Sequence, residues 1–287
     1  MATAAQSITD DLRRWIVAQA DAGCSTEDVI AAMRRSGWDD DVAVSAFETT
    51  LRERDAVQPQ PAGLRLPPGV VVPEPLLAGS SSPVVTADRT VPVLMSMRNP
   101  RIVTFGGLLS AEECDALIAL ARPRLARSET VDHSSGGSEV NSARTSDGMF
   151  FERGETPLIA RLEQRMAALL RWPVKHGEGL QVLRYRPGAE YRPHHDYFDV
   201  AHPGTPTVLK RGGQRVATLL VYLSAPEAGG ATVFPDVALE LTPVKGNAVF
   251  FSYDRPHAIT RTLHGGAPVT AGEKWVATKW LREAEFS

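Results

Sequence analysis

From Leu180 to Trp280 the chain is written in short runs of Val, Leu, Phe, Tyr and Thr, separated by turns that carry Gly or Pro. Residues 180–186, 191–198, 215–223, 231–234, 247–253 and 275–281 each have the length and composition of a strand, and no helical pattern alternates with them. Strands joined without helical crossovers pair antiparallel. Many short antiparallel strands close into a jelly roll or a barrel, the architecture of the cupins. Gly229-Gly230 reads as one of the connecting turns.

The residues before this run are organised differently. Residues 8–54 predict three short helices. Leu12, Trp15, Ile16 and Gln19 fall at helical spacing in the first. Ser25 with Asp28 opens the second, which Gly37 ends, and Val42, Val44 and Phe47 are expected to face inward from the third. A unit of this size resembles the ubiquitin-associated fold, either as a packed accessory bundle or as a docking module for a protein partner. Residues 56–90 carry seven prolines and few charges, the composition of an extended linker, with Gly79-Ser80-Ser81-Ser82-Pro83 its most flexible part. Beyond it, Val91 to Leu94 is expected to dock on the next domain, Arg101 to Phe105 to form a strand, and Ser110 to cap a helix over residues 111–121. Thr156-Pro157 opens another helix, with Leu158, Ile159, Leu162, Met166 and Leu169 on one stripe. Residues 128–150 look like a polar loop. The expected fold class is therefore mainly β with flanking helices. A small all-α bundle (1–55) and a Pro-rich linker (56–90) precede the main domain (91–287).

Composition narrows the partners. The formal net charge is −3, which argues against nucleic acid or an anionic membrane as the main partner. Residues 1–55 hold 11 acidic and 6 basic side chains, so the bundle is the acidic part. Two cysteines in separate regions, Cys24 and Cys114, indicate no disulfide framework. Met1 to Asp11 lacks the pattern of a signal peptide, and no apolar run approaches a membrane span, so a cytoplasmic location is expected.

The chemistry concentrates in Tyr191-Arg192-Pro193-His194-His195-Asp196-Tyr197-Phe198. On an extended strand His194 and Asp196 share one face and His195 takes the other. One imidazole and one carboxylate form two-thirds of the facial triad that holds non-haem Fe(II) and leaves positions open. A second histidine must come from far along the chain; His257 and His264 both qualify. Lys274 lies ten residues beyond His264 and is one of five lysines against 26 arginines. Where arginine is the default cation, a lysine fits a pocket that wants a compact point charge, such as one for the remote carboxylate of a 2-oxo acid.

Several separated segments resemble the prolyl 4-hydroxylase family of Fe(II)/2-oxoglutarate dioxygenases. They are Arg144-Thr145-Ser146-Asp147-Gly148-Met149-Phe150, Leu180 to Tyr185, Tyr191 to Asp196, Gly229 to Pro235, and His264-Gly265-Gly266 onward to Trp280. The resemblance runs from about Pro100 to the C-terminus. It implies a double-stranded β-helix in which His194, Asp196 and His264 hold iron, the His-x9-Lys spacing selecting His264 over His257. It implies that Lys274 binds the distal carboxylate of 2-oxoglutarate, helped by the hydroxyls of Tyr185 and Thr232. Tyr191 and Arg215 match positions at the family's peptide groove, and Arg144 falls in its mobile peptide-binding loop. Trp275 and Trp280 are expected in the core.

The activity implied is that of a procollagen-proline 4-dioxygenase-like enzyme. It would hydroxylate peptidyl proline at C4, convert 2-oxoglutarate to succinate and CO2, and use L-ascorbate as reductant. The carboxylate at Asp196 favours hydroxylation over halogenation, since halogenating relatives place halide there. Two alternatives stand beside this reading: an oxygenase of the same fold with another residue or a small molecule as substrate, and a catalytically idle binding protein whose helical module recruits partners.

Overall fold

The computed structural model describes residues 8–55, 66–75, 77, 83–128, 130–131, 134–139 and 143–287. The chain divides between Pro68 and Gly69 into two compact units. The expected flexible stretch from Gly79 to Ser82 and the expected linker residues 56–65 lie outside the described residues.

Three helices, Asp10–Asp21, Thr26–Arg35 and Asp40–Asp55, make up the described part of the first unit. Thr9 and Ser25 cap the first two by accepting from the Leu12 and Asp28 amides, which satisfies donors that a helix start leaves unpaired. Leu12, Ile16 and Phe47 are buried as the periodicity predicts, and Val29, Ile30 and Met33 of the second helix are buried with them. The third helix differs in register. Ala43 and Ala46 are fully buried, whereas Val42 and Val44 are only half-buried. Small side chains at the contact let helix backbones approach, and this outweighs the larger hydrophobicity of the valines.

The second unit is built on an eight-stranded antiparallel sheet. Its order is Val93–Met97, Arg101–Phe105, Ala248–Ser252, Arg215–Tyr222, Lys274–Arg282, Leu180–Tyr185, Asp147–Phe151 and Ala126–Arg127. A four-stranded sheet, Tyr191–His194, His264–Gly266, Thr232–Phe234 and Leu239–Leu241, supplies the second layer. The resulting architecture is the mainly β jelly roll with flanking helices that the sequence predicts. Lys274–Arg282 explains how the layers meet, because all nine of its residues are buried. Successive side chains of a strand point to opposite faces. Trp275, Ala277 and Leu281 join a core with Ile159, Leu162 and Met166 of the helix Pro157–Leu170, while Val276 joins Leu183, Phe234 and Phe251 in a separate cluster.

Two departures from the sequence expectation bear on the site. Residues 128–150 are not all loop: Asp147–Phe151 is a full member of the large sheet, paired with Leu180–Tyr185. The described residues 69–75, 77 and 83–90, inside the expected linker, belong with the second unit. There Val84–Val85 pairs with Thr90–Val91. Between them Asp88 accepts from Arg165 at 2.6 Å, and the same guanidinium reaches Glu113 at 2.7 Å. Glu113 also closes a capping box with Ser110. Burial opposes its charge, but Arg165 and the Ser110 amide hold the Glu113 carboxyl down at about 2. Proline content reports backbone stiffness, and it carries no information about a partner 77 residues away.

Candidate active site

The two histidine-bearing strands lie side by side in the smaller sheet, with His194 and His264 as direct cross-strand partners. A Cβ on Gly265 would sit 2.9 Å from the Tyr191 carbonyl oxygen, so glycine is what lets these strands close up. Each imidazole is fixed by a carbonyl two residues earlier: Nδ1 of His194 lies 2.9 Å from the Arg192 oxygen, and Nδ1 of His264 lies 2.9 Å from that of Thr262. A carbonyl only accepts, so both Nδ1 atoms carry a proton, and Nε2 is the nitrogen each ring turns toward the cluster. The Tyr191 ring stacks on His194 with centroids 3.6 Å apart, and Phe251 lies 4.5 Å from His264.

Asp196 completes the cluster from a different kind of position. The strand ends at His194, and Asp196 sits in the bend that follows, so the shared strand face expected of His194 and Asp196 is not how they meet. Its Oδ1 is 3.5 Å from His194 Nε2 and its Oδ2 is 3.4 Å from His264 Nε2. One ligand atom from each of the three residues falls within 4.8 Å of the others. Burial pushes Asp196 upward, but the attraction of His264 and His194 when protonated, with Arg215 behind them, outweighs that and holds its carboxyl well below the usual carboxylate range. Burial pushes His264 down to about 4, only partly offset by Asp196, so this imidazole is neutral at neutral pH. Two imidazoles, each offering Nε2, and one carboxylate are the donor set that suits Fe(II) with open positions.

One cleft joins this cluster to Lys274. Along the central strand Lys274, Val276, Thr278 and Trp280 all line it, one side chain in two, and Leu183 and Leu220 add apolar wall. Lys274 is 3% exposed and has no ion-pair partner among the described residues; its Nζ lies over the rings of Tyr185 at 5.5 Å and Tyr222 at 5.8 Å. Burial alone pushes it down to about 8. Tyr185 faces it as its ladder partner, and Thr232 lines the same end.

The remaining expected residues are placed as follows. Arg144 lines the cleft, bridged to Tyr191 through the backbone, with its guanidinium 4.9 Å over the Tyr191 ring and donating to Gln181 at 2.9 Å. Arg215 donates twice to Glu178, at 2.6 and 2.9 Å, and its guanidinium stacks 3.9 Å over Trp280. His257 stands outside the cluster, its Nδ1 accepting from the Ile259 amide at 3.1 Å. His195 points away and stacks on Tyr197 at 4.6 Å.

Trp280, expected in the core, is a cleft residue, and its buried indole N–H has no acceptor. Sequence reasoning also passed over Thr218, Tyr222, Tyr253 and Glu178. Trp280 had a signal, since counting by twos from Lys274 reaches it. Thr218 and Tyr253 had none, because their importance rests on a pairing between distant strands.

Residues 180–282 match the model of the 2OG-Fe(II) oxygenase superfamily. A solved viral collagen prolyl hydroxylase from Paramecium Bursaria Chlorella virus-1 is 34% identical, with a TM-score of 0.49, covering 63% of this chain and 95% of that one. Probable prolyl 4-hydroxylase 3 of Arabidopsis thaliana is 41% identical over 208 residues, 65% of this chain and 71% of that protein. Prolyl 4-hydroxylase 1 of the same plant is 42% identical over 207 residues, 66% of this chain and 71% of that protein. With this identity spread over most of the plant proteins' length, the chain belongs to the prolyl 4-hydroxylase family of Fe(II)/2-oxoglutarate dioxygenases.

Proposed function

We propose that this chain hydroxylates peptidyl proline at C4, consuming 2-oxoglutarate and O2 and releasing succinate and CO2. The observation that carries the reading is Lys274: a buried ammonium with no ion-pair partner among the described residues, in the same cleft as the His-Asp-His cluster. A buried cation without a counter-charge is costly, and a bound carboxylate removes the cost.

His194 Nε2, His264 Nε2 and the Asp196 carboxylate would hold Fe(II). Bound iron and 2-oxoglutarate supply the oxidising power. The protein binds, orients and keeps the reaction dry. Lys274 takes the remote carboxylate of the cosubstrate, and Tyr185 and Thr232 offer hydroxyls beside it. Leu183, Leu220 and Val276 exclude water between the two ends. On the peptide side, Tyr191 and Arg144 form a stacked wall, and the unmet indole donor of Trp280 fits a backbone carbonyl of an extended chain. Arg215 contributes by fixing Trp280 through its stack and its ion pair with Glu178.

L-ascorbate belongs to this reading as the reductant that restores iron oxidised in turnovers without substrate. The cytoplasm is the proposed location, supported by Cys24 and Cys114, both free. For the acidic three-helix unit, which resembles the ubiquitin-associated fold, we propose docking of a protein partner. No nucleic-acid or membrane partner is proposed, given the net charge of −3.

The test is incubation with Fe(II), 2-oxoglutarate, ascorbate and a proline-rich peptide. Peptide-dependent succinate with one added oxygen on proline is the expected result. Oxygen on another residue would favour the same-fold alternative, and no succinate at all would favour the idle binding protein. A chain beginning at Gly69 that turns over the short peptide as fast as the full chain fits the docking role; a slower one would give the helical unit a part in the chemistry.

A further inference from the structure

The three candidate iron ligands are not anchored alike. His194 and His264 lie on paired strands, and each ring is oriented by a carbonyl two residues away. Asp196 has neither support: it follows the end of its strand, and the group that fixes its carboxylate comes from the other sheet. Thr218 Oγ1 lies 2.7 Å from Asp196 Oδ2, and Tyr253 Oη lies 3.0 Å from Thr218 Oγ1. All three side chains are buried.

The direction of these hydrogen bonds follows from donor inventory. An ionised carboxylate only accepts, so Thr218 must spend its single proton on Asp196. Its remaining capacity is as an acceptor, so Tyr253 must donate to it. We propose that Tyr253 is a positioning residue for the iron site, acting through Thr218 to fix the rotamer and donor strength of Asp196. This rests on the assignment of Asp196 as an iron ligand. The tyrosine's contribution is polarisation along a buried chain, where a hydroxyl that accepts a bond donates a stronger one. It is also geometric, because a threonine hydroxyl with no second partner is free to rotate off the carboxylate. The ring is held independently, by Tyr197 at 5.9 Å and Phe251 at 6.2 Å, so Tyr253→Phe removes the hydroxyl and keeps the packing.

The experiment reads metal binding rather than turnover. The full chain, stripped of metal, is titrated with Co(II) as a spectroscopic stand-in for Fe(II). Partners that orient a metal ligand are commonly worth about 10- to 100-fold in affinity, so Thr218→Val should weaken Co(II) within that range and Tyr253→Phe by about 10-fold, with an altered visible absorption band. Tyr253→Phe placed on Thr218→Val should cost nothing further, since the path is already cut. Thr218→Ser keeps the hydroxyl and should restore Co(II) affinity, which also covers the case in which Thr218→Val fails to fold. The proposal is overturned if Tyr253→Phe binds Co(II) with wild-type affinity and spectrum. It is equally overturned if the losses at Thr218 and Tyr253 add in full, or if Tyr253→Phe lowers the melting temperature of the metal-free chain while Co(II) affinity stays unchanged. Failure of the underlying assignment looks different: Asp196→Ala would then bind Co(II) normally, whatever Tyr253 does.

Discussion

The two ends of the cleft are built on opposite principles. At the His-Asp-His end the polar atoms that could turn a ligand already have partners: two backbone carbonyls hold the imidazoles and the Thr218 hydroxyl holds the carboxylate. At the Lys274 end the ammonium lies by two tyrosine rings with no carboxylate paired to it among the described residues. The first end is complete before anything binds, as a metal site must be if its ligands are to stay in place. The second is incomplete by one negative charge, so its binding energy is realised only when a dicarboxylate arrives. Each end also contains a tyrosine that hydrogen-bonds a threonine, Tyr253 with Thr218 and Tyr222 with Thr232, and these pairs let the ends be perturbed separately.

The largest effect should follow from breaking the prebuilt end. His194→Ala, Asp196→Ala and His264→Ala are each expected to abolish turnover and most metal binding, because one of three protein ligands is lost. His257→Ala should keep both, since its ring caps a short helical turn outside the cluster. Metal content by elemental analysis with succinate release decides this, and an inactive His257→Ala beside an active His264→Ala would reverse the ligand assignment.

Next in size is Lys274→Ala. A hydrogen bond to a charged group contributes about 1.5–3 kcal/mol, so 2-oxoglutarate should bind roughly 10- to 150-fold more weakly while Co(II) affinity stays at the wild-type value. Calorimetric titration of each ligand separates the two. Loss of metal with retention of cosubstrate would mean that the ends are not independent.

The site was legible in the sequence because most of it is local in a strand. His194 with Asp196 and the His-x9-Lys spacing are patterns along one or two segments, whereas the alternation that carries Trp280 into the cleft went unread. Even there the two-residue spacing works differently from a shared strand face, since Asp196 reaches the cluster from a bend after the strand of His194. What stayed illegible needs two strands aligned at once. Thr218 matters because its strand places it across from Trp280 and beside Asp196, and Asp88 matters because it meets Arg165. No period in the sequence encodes either contact. The Pro-rich composition of 56–90 predicts an extended backbone and carries no sign that its described residues 69–75, 77 and 83–90 belong with the second unit.

A subtler way to sharpen the contrast is pH. Burial pushes Lys274 down to about 8 from an ordinary 10.5. A bound carboxylate favours the ammonium, so cosubstrate binding above pH 8 must be accompanied by proton uptake. Affinity should then fall by about tenfold per pH unit above 8 and level off below it. The sign for stability is the reverse. Between about 8 and 10.5 the unfolded chain holds the proton more tightly than the folded one, so Lys274's contribution to the stability of the cosubstrate-free chain rises with pH across that window. Cosubstrate titrations from pH 7 to 9.5 test the first, and Lys274→Met should give a flat profile. A wild-type affinity that holds constant across the range would mean that the ammonium never contacts the carboxylate.

The smallest expected effect is at the tyrosine of the open end. Tyr222 donates to Thr232 at 2.8 Å, which fills the acceptor side of the threonine hydroxyl and leaves its proton for the cleft. Without that bond the Thr232 hydroxyl can rotate or lend its proton elsewhere, so Tyr222→Phe removes an orienting contact but neither charge nor volume. A single neutral hydrogen bond contributes about 0.5–1.5 kcal/mol, and an indirect one sits at the lower limit, so 2-oxoglutarate should weaken by roughly two- to threefold. Co(II) affinity and its visible band should not move, because Tyr222 touches no member of the His-Asp-His cluster among the described contacts. Tyr253→Phe is the mirror experiment, expected to move Co(II) and leave the cosubstrate contact intact. If both tyrosine variants shift both ligands by the same factor, the cleft responds as one unit, and the separation into a finished end and an open end does not hold.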